Sequence, residues 1–492
     1  MARKQRKRPS CQRSGQPKTP AKNSVSLQQL YQWLLPHDSI FAKIRFHGNI
    51  KWAPSCLVWL ALCWSWSEAR HVTDAFTDAL GWCQSILGCS PVNTYQGLLG
   101  ALTTWTPQLM PVLFGVLQQR MQQLGGKFWR QDGWVPIAFD GSRSTAPRTK
   151  SNEQAFCAKN YGKGHTAKYR KKKSKGMRRQ RNAKKPAQPQ QPQAWITMMW
   201  HMALRLPWSW RLGPSNSSER AQVMDMVATG RFPEKTLFCG DAGFVGYPLW
   251  TRLRKAGDFL VRVGANVNLL TEQALCEFQK QGKELFVLCW PKTAIKDKQP
   301  PLRLRLVQVL LGKTSVWLLT SVLEPQELTR KMMVRFYKMR WGVEVEFRGL
   351  KQTLERARLR CRNSQRLLAE LDWSILAMAV AELLALKEQL QKRPQKSAKE
   401  EPAYEPSKRS LAQTMRALRG CLKNLHKAPE PGKDLAKRLQ EAVTDSYERK
   451  GSKKARYRPP NPDKKPLGDP QIRELDEEEK DLLQQFAQEK AA

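Results

Sequence analysis

The middle of this chain predicts an α/β fold: a mixed sheet with flanking helices. Three observations carry that prediction. Two short apolar runs, Val135–Phe139 and Leu237–Cys239, each lead into an aspartate, in FDGSR and in CGDAGF. Such runs read as buried strands entering turns. Segments with helical spacing, SSERAQVMDMVATG and YPLWTRLRKAG, alternate with them, and a β-rich stretch at 267–322 follows.

The elements come in order. Residues 1–23 are basic and contain no acidic residue, so they read as a disordered tail. From 24 to 126, LQQLYQWLL, SCLVWLALCWSWSEA and PVLFGVLQQRMQQL repeat apolar residues at three- and four-residue spacing. This is an all-helical N-terminal domain whose Trp59, Trp64, Trp66 and Trp82 read as packing. Residues 127–266 form the first part of the core, with AWITMMWHMALRL and WSWRL as paired strands between the two aspartates. Residues 267–325 are a β-rich insertion built from ELFVLCW, LRLRLVQVLL and SVWLLTSV. Residues 326–392 hold a long helix from Thr329 through about Arg358, then the apolar helix LLAELDWSILAMAVAELLAL. Residues 393–492 are charged and interrupted by proline. They read as a mostly disordered tail, partly helical, with little tertiary structure.

Charge narrows the partners. The chain has 492 residues, with 85 Lys+Arg against 42 Asp+Glu, a formal charge of +43. A surface this basic calls for a polyanion, and duplex DNA is the densest common one. Eighteen Trp and 41% hydrophobic residues imply a folded interior and exclude a mere basic arm. The basic start MARKQRKRPS is not followed by the apolar stretch of a secretion signal. The apolar runs Cys56–Trp66 and Ile375–Leu386 are too short or too interrupted to span a bilayer. The expectation is a cytoplasmic, nucleoid-associated protein with no membrane partner. Eleven cysteines with no C-x-x-C pair, and six scattered histidines, offer no zinc spacing.

Residues 168–185, KYRKKKSKGMRRQRNAKK, hold eleven Lys/Arg and no acidic residue, within an insertion at 163–193. A run of this kind is ordinarily a solvated loop. Lys171, Lys172, Lys173, Arg178 and Arg179 are expected to touch DNA phosphates without reading sequence.

Cutting and joining phosphodiesters needs an activated oxygen nucleophile and a stabilised leaving alkoxide. Two metal ions about 3.5–4 Å apart supply both. Mg²⁺ takes oxygen ligands, so the sequence must bring carboxylates together. Asp140 and Asp241 converge if their strands are parallel neighbours, since open α/β sheets gather ligands at strand ends. Either one alone is better explained by a turn. The third element is sharper. In FYKMRWGVEVEFRGLKQTLERARLR, Tyr337, Arg340, Glu344 and Lys351 fall within roughly a 60° sector of one helix. Glu346 falls nearly opposite Tyr337. The competing explanation is a solvated stripe with an Arg340–Glu344 ion pair. Gly342, which costs a helix about 1 kcal/mol, and Trp341, an expensive residue to expose, argue against it.

The spacing Tyr-x2-Arg-x3-Glu-x6-Lys resembles the signature of the DDE transposases of bacterial insertion sequence family four. FDGSR at Asp140, CGDAGF at Asp241 and PRTKSNEQAF at 147–156 are similar to that family's other motifs. The resemblance covers about residues 127–390 and leaves out the N-terminal helices and the tail. It implies an RNase H-like core in which Asp140, Asp241 and Glu344 bind two Mg²⁺ ions, with Mn²⁺ as a substitute. Tyr337, Arg340 and Lys351 would hold DNA phosphates. It implies binding of terminal inverted repeats by a homodimer, cleavage, and strand transfer into target DNA. The N-terminal helices would bind transposon ends. In hairpin-forming relatives an aromatic in the insertion stacks on a flipped base, which makes Trp317 the candidate, against a plain strand-core role. Two other functions are open: a nuclease of the same fold without strand transfer, and a non-enzymatic basic DNA- or RNA-binding protein.

Overall fold

The computed structural model describes residues 23–157, 191–272, 284–391, 405–444 and 467–491, positions 49, 51, 89 and 313 excepted. The basic run with Lys171, Lys172, Lys173, Arg178 and Arg179 lies outside the described residues, as does the N-terminal tail up to 22.

A ten-stranded sheet organises the molecule. Its strands are β1 (Val135–Thr145), β2 (Gln193–His201), β3 (Leu206–Gly213), β4 (Thr236–Gly240), β5 (Asp258–Val263), β6 (Asn268–Thr271), β7 (Glu284–Cys289), β8 (Leu302–Leu311), β9 (Thr314–Thr320) and β10 (Gln471–Glu474). The order across the sheet is β10-β6-β7-β8-β9-β5-β4-β1-β2-β3. At its centre β1, β4 and β5 run parallel, and all five residues of β4 are buried, as strands covered on both faces must be. The hairpin β1–β2–β3 is antiparallel. The β-rich stretch after 267 does not form a sheet of its own. β9 pairs antiparallel with β5, so these strands continue the central sheet.

The N-terminal region holds the helices Asn23–Leu34, Pro54–Trp66, Val72–Leu87 and Tyr95–Gly125. It shares one hydrophobic core with the sheet and its helices. The reason lies in Ser364–Gln391, an apolar helix buried along most of its length. A helix apolar all round must be covered all round. The N-terminal helices cover it on one side, where Trp66 Nε1 donates to Ala377 O at 2.9 Å and Trp373 Nε1 to Thr106 Oγ at 2.7 Å. Trp59, Trp64 and Trp66 are buried packing residues and Trp82 is half-buried. No helix among the described residues is long and apolar enough to cross a membrane.

The expectation of a largely unstructured tail after 393 is overturned for residues 405–444 and 467–491. The helix Leu411–Lys423 buries Met415, Leu418 and Leu422. Gln389 Nε2 donates to Leu439 O and Ala442 O, each at 3.1 Å. β10 pairs parallel with β6. Charge density in this region concealed an apolar stripe at 415, 418 and 422, which closes another side of Ser364–Gln391.

Candidate active site

The parallel register sets two aspartates level. Ala138 of β1 pairs with Cys239 of β4. Two residues further along each strand stand Asp140 and Asp241. Asp140 is not at a strand end, as the sequence suggested. β1 keeps β2 as its partner through Thr145, while its pairing with β4 stops at Ala138. The edge of β1 at Asp140 is therefore open on the β4 side. Asp241 is the first residue beyond β4, and its Oδ1 accepts from Gly243 N at 2.8 Å, a turn that fixes the side chain.

The third carboxylate comes from a helix that crosses this opening. The long helix expected from Thr329 is two: Arg330–Met339 and Gly342–Gln352. The break at Arg340–Trp341 has a steric companion. A Cβ on Gly342 would lie 2.1 Å from the Trp200 ring, so only glycine lets the second helix approach the sheet this closely. Trp341 is 55% exposed, so its burial does not explain this stretch. Because of the break, one continuous helical wheel does not describe the four signature residues. Glu344 and Lys351 nevertheless line the same cavity of about 460 Å³ as Asp140 and Asp241, together with Ser142 and Arg348. Lys351 Nζ donates to Ser142 Oγ at 2.7 Å, and burial lowers its pKa. Glu346 faces away into the core and is buried.

Arg340 ties the site together from behind. It is 6% exposed, with Nη1 at 3.3 Å from Asp140 Oδ2 and Nη2 at 3.4 Å from Glu344 Oε1. Burial works against its charge, but Tyr337, Asp140, Asp241 and Glu344 outweigh that and raise its pKa. Tyr337 is buried beside it, the guanidinium 5.6 Å from the ring centre, and burial raises the phenol's pKa. The Asp140 carboxyl is pushed up to about 6, first by burial and then by the negative charges of Asp241 and Glu344. The Gly141 N–H, which donates to Asp140 Oδ1 at 2.8 Å, and Arg340 oppose the rise.

Three oxygen-donor carboxylates around one cavity fit a hard divalent cation in chemistry. Among the described residues no three His, Cys, Asp or Glu side chains stand close enough to enclose an ion. In this conformation Arg340 bridges Asp140 and Glu344 instead.

Trp317 is the residue expected to stack on a flipped base. It sits in β9, 7% exposed, with Nε1 donating to Asp469 Oδ1 at 2.7 Å. Sequence reasoning missed Glu219, the first residue of the helix Glu219–Thr229. Its carboxyl is pushed up to about 7, by burial first and then by Asp140 and Asp241. An acidic residue in a first helical turn looks like a helix-end charge, and nothing in SSER marks it otherwise.

No curated protein matches the chain. Among solved structures, the cryo-EM structure of a piggyBac transposase synaptic complex with hairpin DNA is 13% identical, with a TM-score of 0.37, over 88% of this chain and 87% of that one. The family described as the transposase DDE domain matches residues 135–380, half of the chain, from the start of β1 into the helix Ser364–Gln391. By that match the chain belongs to the DDE-domain family of transposases.

Proposed function

We propose that this chain is a cut-and-paste transposase of insertion sequence family four, which binds the terminal inverted repeats of its element as a homodimer and acts on duplex DNA in the cytoplasm. The observation that carries the reading is the level placement of Asp140 and Asp241 across the open edge of β1, with Glu344 and Lys351 in the same cavity. Asp140, Asp241 and Glu344 would hold two Mg²⁺ ions, or Mn²⁺ in their place. When bound, such ions lower the pKa of an attacking oxygen and offset charge on the leaving one.

The chain's own groups divide the remaining work. Lys351 opens into the cavity and offers a point charge to a phosphate oxygen. Arg340 and Tyr337 back the carboxylates and supply donors once DNA or cations draw Arg340 off Asp140 and Glu344. The basic run with Lys171, Lys172, Lys173, Arg178 and Arg179 adds phosphate contacts that position DNA without specifying it.

The test is Asp241→Asn, assayed on plasmid DNA carrying both gene flanks, with Mg²⁺. The wild-type chain releases the flanked segment and joins it to target DNA. The variant binds the ends but neither cuts nor joins. Equal cleavage by the variant overturns the metal-site reading. Cleavage without joined products in the wild type leaves a nuclease.

A further inference from the structure

Asp140 has a glycine beside it, and that glycine faces another carboxylate. Side chains alternate along a strand, so Asp140 and Ser142 share the face on which Arg340 and Lys351 meet them. Gly141 faces the other way. A Cβ there would lie 2.0 Å from Oε1 and 2.6 Å from Cδ of Glu219. The side chain that Gly141 lacks thus leaves the seat of the Glu219 carboxylate, against the backbone of the residue that follows Asp140. A carboxylate at the head of a helix ordinarily serves the free N–H groups there. Ser218 already does so, its Oγ accepting from Ala221 N at 3.3 Å. Arg143, on the same face of β1 as Gly141, is stacked over the Trp195 ring at 4.1 Å. The Glu219 carboxylate therefore lies against the backbone of β1 at Gly141, next in the chain to Asp140, on the face opposite the one where Arg340 pairs with Asp140.

We propose that Glu219 is a fourth carboxylate of the metal site, reaching past Gly141 from the other face of the sheet to ligate one of the ions held by Asp140 and Asp241. The inference rests on the metal-site reading above. It explains why position 141 has no side chain, and it gives the site a donor that the family's three-carboxylate pattern does not name.

The experiment titrates the full chain with Mn²⁺ alone and counts free ion by electron paramagnetic resonance. Glu219→Gln should raise the Mn²⁺ Kd roughly tenfold or more. Gly141→Ala, whose Cβ occupies the carboxylate's seat, should do the same. Asp225→Asn, on the same helix and paired with Arg211 at 2.7 Å, should bind Mn²⁺ as the wild type does. Wild-type affinity in Glu219→Gln while Asp241→Asn loses Mn²⁺ overturns the role of Glu219 alone. Wild-type affinity in Asp241→Asn overturns the metal-site reading itself. If Glu219→Gln does not fold, as judged by its thermal melt in chelator, Glu219→Asp and Gly141→Ala decide: wild-type Mn²⁺ affinity in both overturns the proposal.

Discussion

Replacing Asp140 by Asn should make the metal-free protein more stable while removing its activity. Burial lifts the Asp140 carboxyl from an ordinary 3.8 to about 6, the charges of Asp241 and Glu344 adding to the lift. A carboxyl with a raised folded pKa holds its proton more tightly in the folded chain than in the unfolded one. Its contribution to stability is complete below about pH 4 and is lost as pH rises through about 6. Each pH unit is worth about 1.4 kcal/mol, so ionised Asp140 costs the fold on the order of 3 kcal/mol at neutral pH. The side chain is only 15% exposed, which leaves solvent little room to screen the effect. Asn stands in for the protonated acid and does not carry this penalty.

Denaturant unfolding in the presence of chelator measures the difference. At about pH 4 the two proteins should differ little. Near pH 7.5 the Asn variant should be more stable by about 3 kcal/mol, with the gap opening between those values. Mg²⁺ should then narrow the gap, because an ion that binds only the folded wild type stabilises it by mass action. A variant less stable than wild type at pH 7.5, or a gap that ignores pH, would refute the claim that this carboxylate is held in an unfavourable place.

Three other outcomes follow from the same structure. Gly342→Ala should destabilise by about 1–3 kcal/mol despite the better helix propensity of alanine, because its Cβ meets Trp200 at 2.1 Å; a raised melting temperature would contradict this. Trp317→Ala should lower stability by about 3–5 kcal/mol as a core truncation; unchanged stability with abolished DNA hairpin formation would support the stacking role. Changing Lys171, Lys172, Lys173, Arg178 and Arg179 to Gln should flatten the slope of log K against log salt by up to roughly 4–5, about 0.9 for each phosphate no longer neutralised, and an unchanged slope would count against DNA binding there.

Much of this architecture is legible because it is local. Val135–Phe139 and Leu237–Cys239 are apolar runs of strand length, and they form the buried parts of β1 and β4. ELFVLCW, LRLRLVQVLL and SVWLLTSV form β7, β8 and β9 nearly residue for residue. What is not legible depends on partners distant in sequence. That β9 pairs with β5, joining the supposed insertion to the central sheet, is a long-range choice that no local pattern states. Order in the tail is hidden because its charges outnumber its apolar residues, although a stripe that includes 415, 418 and 422 faces the core. Trp317 is ambiguous in sequence because a strand-core indole and a stacking platform have the same signature, and its bond to Asp469 spans 152 positions.

The signature helix shows how residues can come together although the intermediate that predicted it is wrong. One unbroken helix would place Tyr337, Arg340, Glu344 and Lys351 on a single face, yet the chain breaks between Met339 and Gly342. Glu344 and Lys351 still share a face, being seven residues apart within the second helix, where two turns nearly close. Arg340 reaches the site for a different reason. Seated at the break, its side chain is fixed by Asp140 and Glu344, on elements 200 and 4 positions away. Gly342, a weakness in a helix considered by itself, is the residue that permits the break to lie against Trp200. Gly141 stands in the same relation to Glu219. In both places the informative residue is the one with no side chain, and what it admits comes from another part of the chain.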